Sequence, residues 1–169
     1  GRTYRSFSPG RIADEIQYLI TNYRANGIYF REDNFTFNRN RVLSICKLIK
    51  DWKIEWLCES RVEHLDEELV AKMKEAGCQG IWFGTESGSN RVLKMLCKGV
   101  NKEKVIEAFK LCKKYSIKTG ASFMLGLPGE TRKEMYETLD FAHRLDSYWT
   151  WFNYYLGIPG SDLYDKAIQ

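Results

Sequence analysis

Apolar residues return every three or four positions through Ile12, Ile16, Leu19, Ile20 and Tyr23, the period of a helix with one buried stripe. Ser8 stands where an N-cap belongs, with Pro9 at the first helical position, and Asn26-Gly27 is expected to end the element. A short β-prone run, Ile28-Tyr29-Phe30, then breaks into the polar stretch Arg31-Glu32-Asp33-Asn34. Asn38 opens a second helix that carries Val42, Leu43, Ile45, Cys46, Leu48 and Ile49 toward a core. A second strand follows at Ile54-Glu55-Trp56-Leu57-Cys58 and ends in Glu59-Ser60-Arg61.

The alternation continues. Asp66-Glu67-Glu68 places acid in the first turn of a helix that carries Met73 and Ala76 and closes at Gly77. A third strand, Gly80-Ile81-Trp82-Phe83-Gly84, runs into Thr85-Glu86-Ser87-Gly88-Ser89. A helical region from Asn90 to Tyr115 is broken near Gly99-Val100-Asn101. The fourth strand, Ala121–Leu125, ends in Gly126-Leu127-Pro128-Gly129-Glu130, and Thr131 with Glu134 predicts a capping box for a helix carrying Met135, Leu139 and Phe141. A fifth strand is expected over Trp151–Leu156, ending in Gly157-Ile158-Pro159-Gly160, with Ser161 capping a last helix.

Strands that alternate with helices predict right-handed β-α units on a parallel sheet, hence an α/β fold. The pattern leaves a doubly wound sheet and a (β/α) barrel both open, but in either one ligands bind at the carboxyl ends of the strands. The five polar or glycine-rich clusters would therefore share one rim. Carboxylates, an arginine fork and exposed main chain suit a ligand with hydroxyls, a carboxylate and a flat ring.

At 169 residues, the length is that of one domain, 1–169. A net charge of +4 is too mild to single out nucleic acid, and three prolines with 14% aromatics exclude disorder and collagen-like fibre. No apolar run approaches the ~20 residues of a membrane span. Cys46, Cys58, Cys78, Cys97 and Cys112 are odd in number and scattered, with no Cys-x-x-Cys pair, which predicts reduced thiols buried as small apolar residues in a cytoplasmic protein. His64 and His143 have no spaced partner and predict no metal site. The run Tyr148, Trp149, Trp151, Phe152, Tyr154, Tyr155 is expected to pack or, alternatively, to wall a substrate chamber.

Taken in order, Tyr29–Thr36, Cys58–Val62, Gly84–Gly88 and Phe123–Thr131 resemble the radical S-adenosylmethionine (SAM) superfamily, closest to its cobalamin-associated group. The resemblance runs from Arg2 to Leu163 and implies a partial (β/α) barrel with the cofactor across its open top. It implies that Glu32, Asp33 and Asn34 meet the methionyl amino group, and that Ser60 and Arg61 meet the methionyl carboxylate or ribose. Glu86, with Ser87 beside it, takes the ribose position; Gly126 and Leu127 approach the adenine, and Tyr155 and Leu156 add main-chain contacts to it.

The superfamily's Cys-x-x-x-Cys-x-x-Cys loop, which holds a [4Fe-4S] cluster, is not in this sequence. In the family it precedes a segment like Arg2–Pro9, so the cluster ligands and the first strand are expected outside this chain, in a longer enzyme with a barrel of about 250 residues. The resemblance implies reductive cleavage of SAM to a 5′-deoxyadenosyl radical in that parent. The product would be a methylated, methylthiolated, cyclised or rearranged substrate. It also implies a reductant such as flavodoxin or ferredoxin, and is compatible with a cobalamin in the parent; this chain alone is expected to be inactive. The contrasting reading is a β/α binding or scaffold module that has lost its cluster. An ordinary barrel hydrolase or aldolase is disfavoured, since no nucleophile–base pair or Schiff-base lysine stands out at the strand ends.

Overall fold

The computed structural model describes residues 4–97 and 99–167; Arg2 and Thr3, at the start of the family-like segment, lie outside them. In chain order the main elements are α1 (Pro9–Tyr23), β1 (Gly27–Phe30), α2 (Arg39–Ile49), β2 (Glu55–Ser60), α3 (Glu67–Glu75) and β3 (Cys78–Glu86). There follow α4 (Asn90–Met95), α5 (Lys102–Lys114), β4 (Lys118–Leu125), α6 (Arg132–Leu145), β5 (Trp149–Tyr154) and α7 (Asp162–Ala167).

Local chemistry sets most boundaries. The side chains of Ser8, Asn38, Asp66, Ser89, Asn101 and Thr131 each accept a main-chain N–H as N-caps. Asp66 is thus the cap of α3 and lies outside its first turn. Helix α1 stops before Asn26-Gly27 because Arg24 turns left-handed at φ 54° and donates its N–H back to Ile20. Gly27 then opens β1.

The five strands lie side by side in the order β1-β2-β3-β4-β5, every pair parallel. A doubly wound sheet reverses its strand order at a switch point. This one never does, so the sheet is singly wound, an arc of a (β/α) barrel.

Alternation along the strands separates two faces. Trp56 and Cys58, Ile81 and Phe83, and Ala121 and Phe123 join one buried core with Ile16 of α1, Ile45 of α2, Leu69 of α3, Val105 of α5 and Phe141 of α6. Each large apolar side chain buried there stabilises the fold by roughly 1.5–3 kcal/mol. The buried indole of Trp56 also donates Nε1–H to the Ala76 carbonyl at 2.8 Å, so its one polar atom is satisfied. Leu19, Tyr23, Leu48 and Leu139, which share the helical stripes, lie at their edges and stay exposed.

The opposite, inner face carries Tyr29, Leu57, Glu59, Trp82 and Trp149. Gly120 pairs in register with Trp82 on one side and Trp149 on the other. The two indoles stack there with centroids 6.2 Å apart. A Cβ on Gly120 would lie 2.3 Å from the Trp82 ring, so the indole occupies the space a side chain would need. Strand β5 starts two residues earlier than its composition predicts because Trp149 completes this register. Tyr148, Trp149, Trp151, Phe152 and Tyr154 are all exposed, although the Phe152 ring stacks on the core residue Phe123 with centroids 5.3 Å apart, and Tyr155 is half-buried.

Candidate functional site

The register brings the strand ends together. Phe30 pairs with Cys58, Ser60 with Phe83, Glu86 with Phe123, and Leu125 with Tyr154. The segments that follow the five strands therefore share one edge of the sheet.

After β1, Arg41 Nη2 and Nη1 donate to the two oxygens of Glu32 at 2.5 and 3.0 Å, and Arg41 Nε donates to the Phe7 carbonyl at 3.0 Å. Both carboxylate oxygens of Glu32 are thus engaged. Asp33 is exposed. His64 Nδ1–H donates to Asn34 Oδ1 at 3.1 Å, and its ring meets Phe37 edge-on at 5.6 Å. The histidine set aside in the sequence therefore ties the first strand-end segment to the second.

After β2, Ser60 is buried: its hydroxyl shares a short hydrogen bond with Thr36 and reaches the Arg61 carbonyl at 3.3 Å. It lies on the helix side with Trp56 and Cys58. The inner-facing residue is its neighbour Glu59, which accepts the Tyr29 hydroxyl at 2.9 Å and pairs with Arg31 at 3.0 Å. Burial first, then the hydrogen bond to Glu59 and its charge, raises the Tyr29 phenol above its ordinary value. Sequence reasoning quoted Glu59 without choosing it; the two-residue period of β2 was the signal that separates it from Ser60. Arg61 pairs with Glu63 at 2.5 Å.

At the end of β3, Gly84 and Glu86 pair with the consecutive residues Ser122 and Phe123, leaving Thr85 as the extra residue of a bulge. Glu86 takes φ 65°, the left-handed region. For a residue with a Cβ this costs about 1–2 kcal/mol, and such strain gathers at binding sites. Ser87 is fully buried and its hydroxyl pairs with Thr138 at 3.1 Å, so its side chain serves the loop's own packing.

After β4, Gly126 turns at φ 76°. The N–H groups of Gly126 and Leu127 both donate to Glu130 Oε2, at 2.7 and 3.1 Å, and the Leu127 side chain is buried. After β5, the Tyr155 N–H extends the ladder to the Leu125 carbonyl at 2.9 Å, while Leu156 is exposed.

Among the described residues, three buried side-chain polar atoms have no hydrogen-bond partner: Thr85 Oγ1, Glu130 Oε1 and the Tyr155 hydroxyl. They belong to the ends of three adjacent strands. Buried groups of this kind are normally satisfied.

The thiols do not form a metal site. Cys46, Cys58, Cys78 and Cys112 are buried, as expected for small apolar residues; Cys97 is exposed. Burial pushes the Cys46 and Cys112 thiols up to about 12, which keeps them protonated. Among the described residues no group of three His, Cys, Asp or Glu side chains could hold a metal ion. The described residues of this chain thus do not fit an iron–sulfur cluster. None of the described helices is long and apolar enough to cross a membrane.

A singly wound parallel sheet whose strand ends converge on one ligand-fitting rim defines a protein of the (β/α)-barrel class. Its sequence profile specifies which: the chain belongs to the radical SAM superfamily, matched over residues 1–142. It is 36% identical over 170 residues to an uncharacterised methyltransferase of Pyrococcus horikoshii, covering 99% of this chain and 37% of that protein. It is 31% identical over 173 residues to the anaerobic magnesium-protoporphyrin IX monomethyl ester cyclase of Rubrivivax gelatinosus, covering 98% and 30%. The chain thus spans about a third of the length of these relatives. Among solved structures it resembles the radical SAM methyltransferase TsrM from Kitasatospora setae, with cobalamin and a [4Fe-4S] cluster bound: TM-score 0.84 at 20% identity, over 94% of this chain and 30% of that one. The cobalamin-dependent radical SAM enzyme OxsB, with aqua-cobalamin and SAM bound, superposes with a TM-score of 0.75 at 20% identity, over 98% and 26%.

Proposed function

We propose that this chain, residues 1–169, is the SAM-binding part of the core domain of a longer cytoplasmic radical SAM enzyme. The observation that carries the reading is Glu86, strained just after the Thr85 bulge, beside a rim with three unpartnered buried polar atoms among the described residues. Strain and unpaired polar groups together are the mark of a site shaped for something other than its own fold.

Glu86 is the acceptor for the ribose diol. The Gly126-Leu127 turn and the main chain at Tyr155 and Leu156 form the adenine side. Arg61 offers its fork to the methionyl carboxylate. Glu32, held by Arg41, and Asn34, held by His64, present a rigid segment with Asp33 toward the methionyl amino group. Ser60 and Ser87 support these groups from beneath, and Glu59 with Tyr29 lines the inner face below the cofactor.

In the parent, cysteines outside this chain would hold the [4Fe-4S] cluster, which would supply the electron for reductive cleavage of SAM, with flavodoxin or ferredoxin as the reductant class. Methyl transfer is the reaction outcome that the Pyrococcus relative and TsrM favour, and the cobalamin bound in TsrM is compatible with one in the parent.

Titration of SAM into the iron–sulfur-reconstituted protein that carries this chain tests the reading. Saturable binding, weakened about tenfold in Glu86→Ala, is expected. No binding, or binding indifferent to Glu86→Ala, overturns it.

A further inference from the structure

Helix α6 begins with a capping box, in which Thr131 N–H and Oγ1–H donate to Glu134 Oε2 at 2.9 and 2.7 Å, and the Glu134 N–H donates back to Thr131 Oγ1 at 3.3 Å. A capping box needs nothing more. Here the same carboxylate also reaches out of its helix. Its Oε1 accepts Ser89 Oγ–H at 3.0 Å and Arg91 Nε–H at 2.7 Å, while Arg91 Nη2–H donates to Oε2 at 2.7 Å. Arg91 Nη2 donates as well to the Gly129 carbonyl at 2.7 Å.

One turn further along α6, fully buried Thr138 works on the same loop. Its Oγ1 accepts the Gly88 N–H at 3.0 Å, pairs with Ser87 Oγ at 3.1 Å and lies 3.0 Å from the Glu134 carbonyl. Gly88 packs so closely that a Cβ would stand 2.5 Å from the Glu137 carbonyl and 2.7 Å from Thr138 Cα. The loop is therefore pressed onto the first two turns of α6 by residues that immediately follow Glu86. Arg91 extends the same network to the turn that contains Gly126 and Leu127.

We infer that Glu134, Thr138 and Arg91 are positioning residues that fasten the loop after β3 and the turn after β4 into one rigid unit and hold Glu86 in its left-handed conformation. An unfavourable φ persists where surrounding bonds over-determine it. Here the Ser87 N–H bends back to the Thr85 carbonyl at 2.9 Å, and Ser87 and Gly88 are both pinned to Thr138. The two loops meet opposite ends of the nucleoside in the reading above, on which the role in ligand binding rests. Fixing their relative position before the ligand arrives removes an ordering cost from binding.

The test uses the reconstituted protein with Thr138→Val, Thr138→Ser and Arg91→Gln, each alone and with Glu86→Ala. Thr138→Val keeps the shape and loses the hydrogen bonds; Thr138→Ser keeps them. SAM affinity is expected to fall about tenfold in Thr138→Val and to be restored in Thr138→Ser. In the Glu86→Ala background Thr138→Val is expected to cost under about twofold, because nothing remains to be positioned. Hydrogen exchange without ligand is expected to quicken at the Gly126 and Leu127 amides in Arg91→Gln. Unchanged exchange there, or an undiminished Thr138→Val effect without Glu86, overturns the inference. A wild-type protein that shows the exchange coupling yet binds no SAM overturns the function reading and leaves the fastening of the loops established.

Discussion

Arg41 closes on Glu32 with both terminal nitrogens, at 2.5 and 3.0 Å, from a side chain that is 5% exposed. Its third nitrogen holds the Phe7 carbonyl. A guanidinium this deep needs all of its partners, and so do they of it. Arg41→Met keeps most of the apolar stem and removes the fork. We expect a loss of about 2 kcal/mol, since a hydrogen bond to a charged group is worth ~1.5–3 kcal/mol. The measurement is the urea midpoint at unchanged slope.

Glu86 should show stability and binding moving in opposite directions. Glu86→Gly removes the Cβ that makes φ 65° costly. The variant is expected to be more stable by about 1 kcal/mol. It is expected to bind SAM as weakly as Glu86→Ala does. Thermal unfolding and ligand titration on the same preparation check both signs.

Gly120→Ala places a methyl group where the Trp82 indole lies, with 2.3 Å between them. Overpacking of this kind costs ~1–3 kcal/mol. Combining it with Trp82→Leu makes room, so the double variant should be more stable than the sum of the single effects predicts. A double-mutant cycle from urea midpoints reads the coupling.

Glu134 gives the fold an acid-sensitive component. The Arg91 hydrogen bond first, then the Thr131 N–H and hydroxyl, hold its carboxyl well below the ordinary 4.5. A carboxyl depressed in the folded state stabilises fully above its unfolded value, and the contribution is lost as pH falls through the folded one. The difference in stability between the wild type and Glu134→Gln should therefore be constant at neutral pH and shrink progressively below 4.5. Urea midpoints at neutral pH and at about pH 3 measure it.

Much of this was legible in the chain because the signals were local. Ser8, Asn38, Thr131 and the strand-end clusters announce themselves through capping and turn chemistry that depends on near neighbours alone. Asp66 was recognised as helix-initiating acid but not as the cap itself, a distinction set by one backbone dihedral. Register was not legible, since pairing Trp149 with Gly120 depends on residues distant in sequence; this moved the start of β5. The role of Glu134 was half visible. Its capping box can be read from Thr131-x-x-Glu134, but Ser89 and Arg91 approach it only after β3 and α6 have packed together. His64 reads in the sequence as a residue without a partner for the same reason, because Asn34 lies on the segment after another strand.

The two faces of β2 divide responsibility between adjacent residues. Cys58 answers to the helices that bury it, and Glu59 answers to whatever enters the hollow. Because β2, β3 and β4 are dealt out in this way, their inner-facing positions can be changed while the outer ones go on specifying the same core.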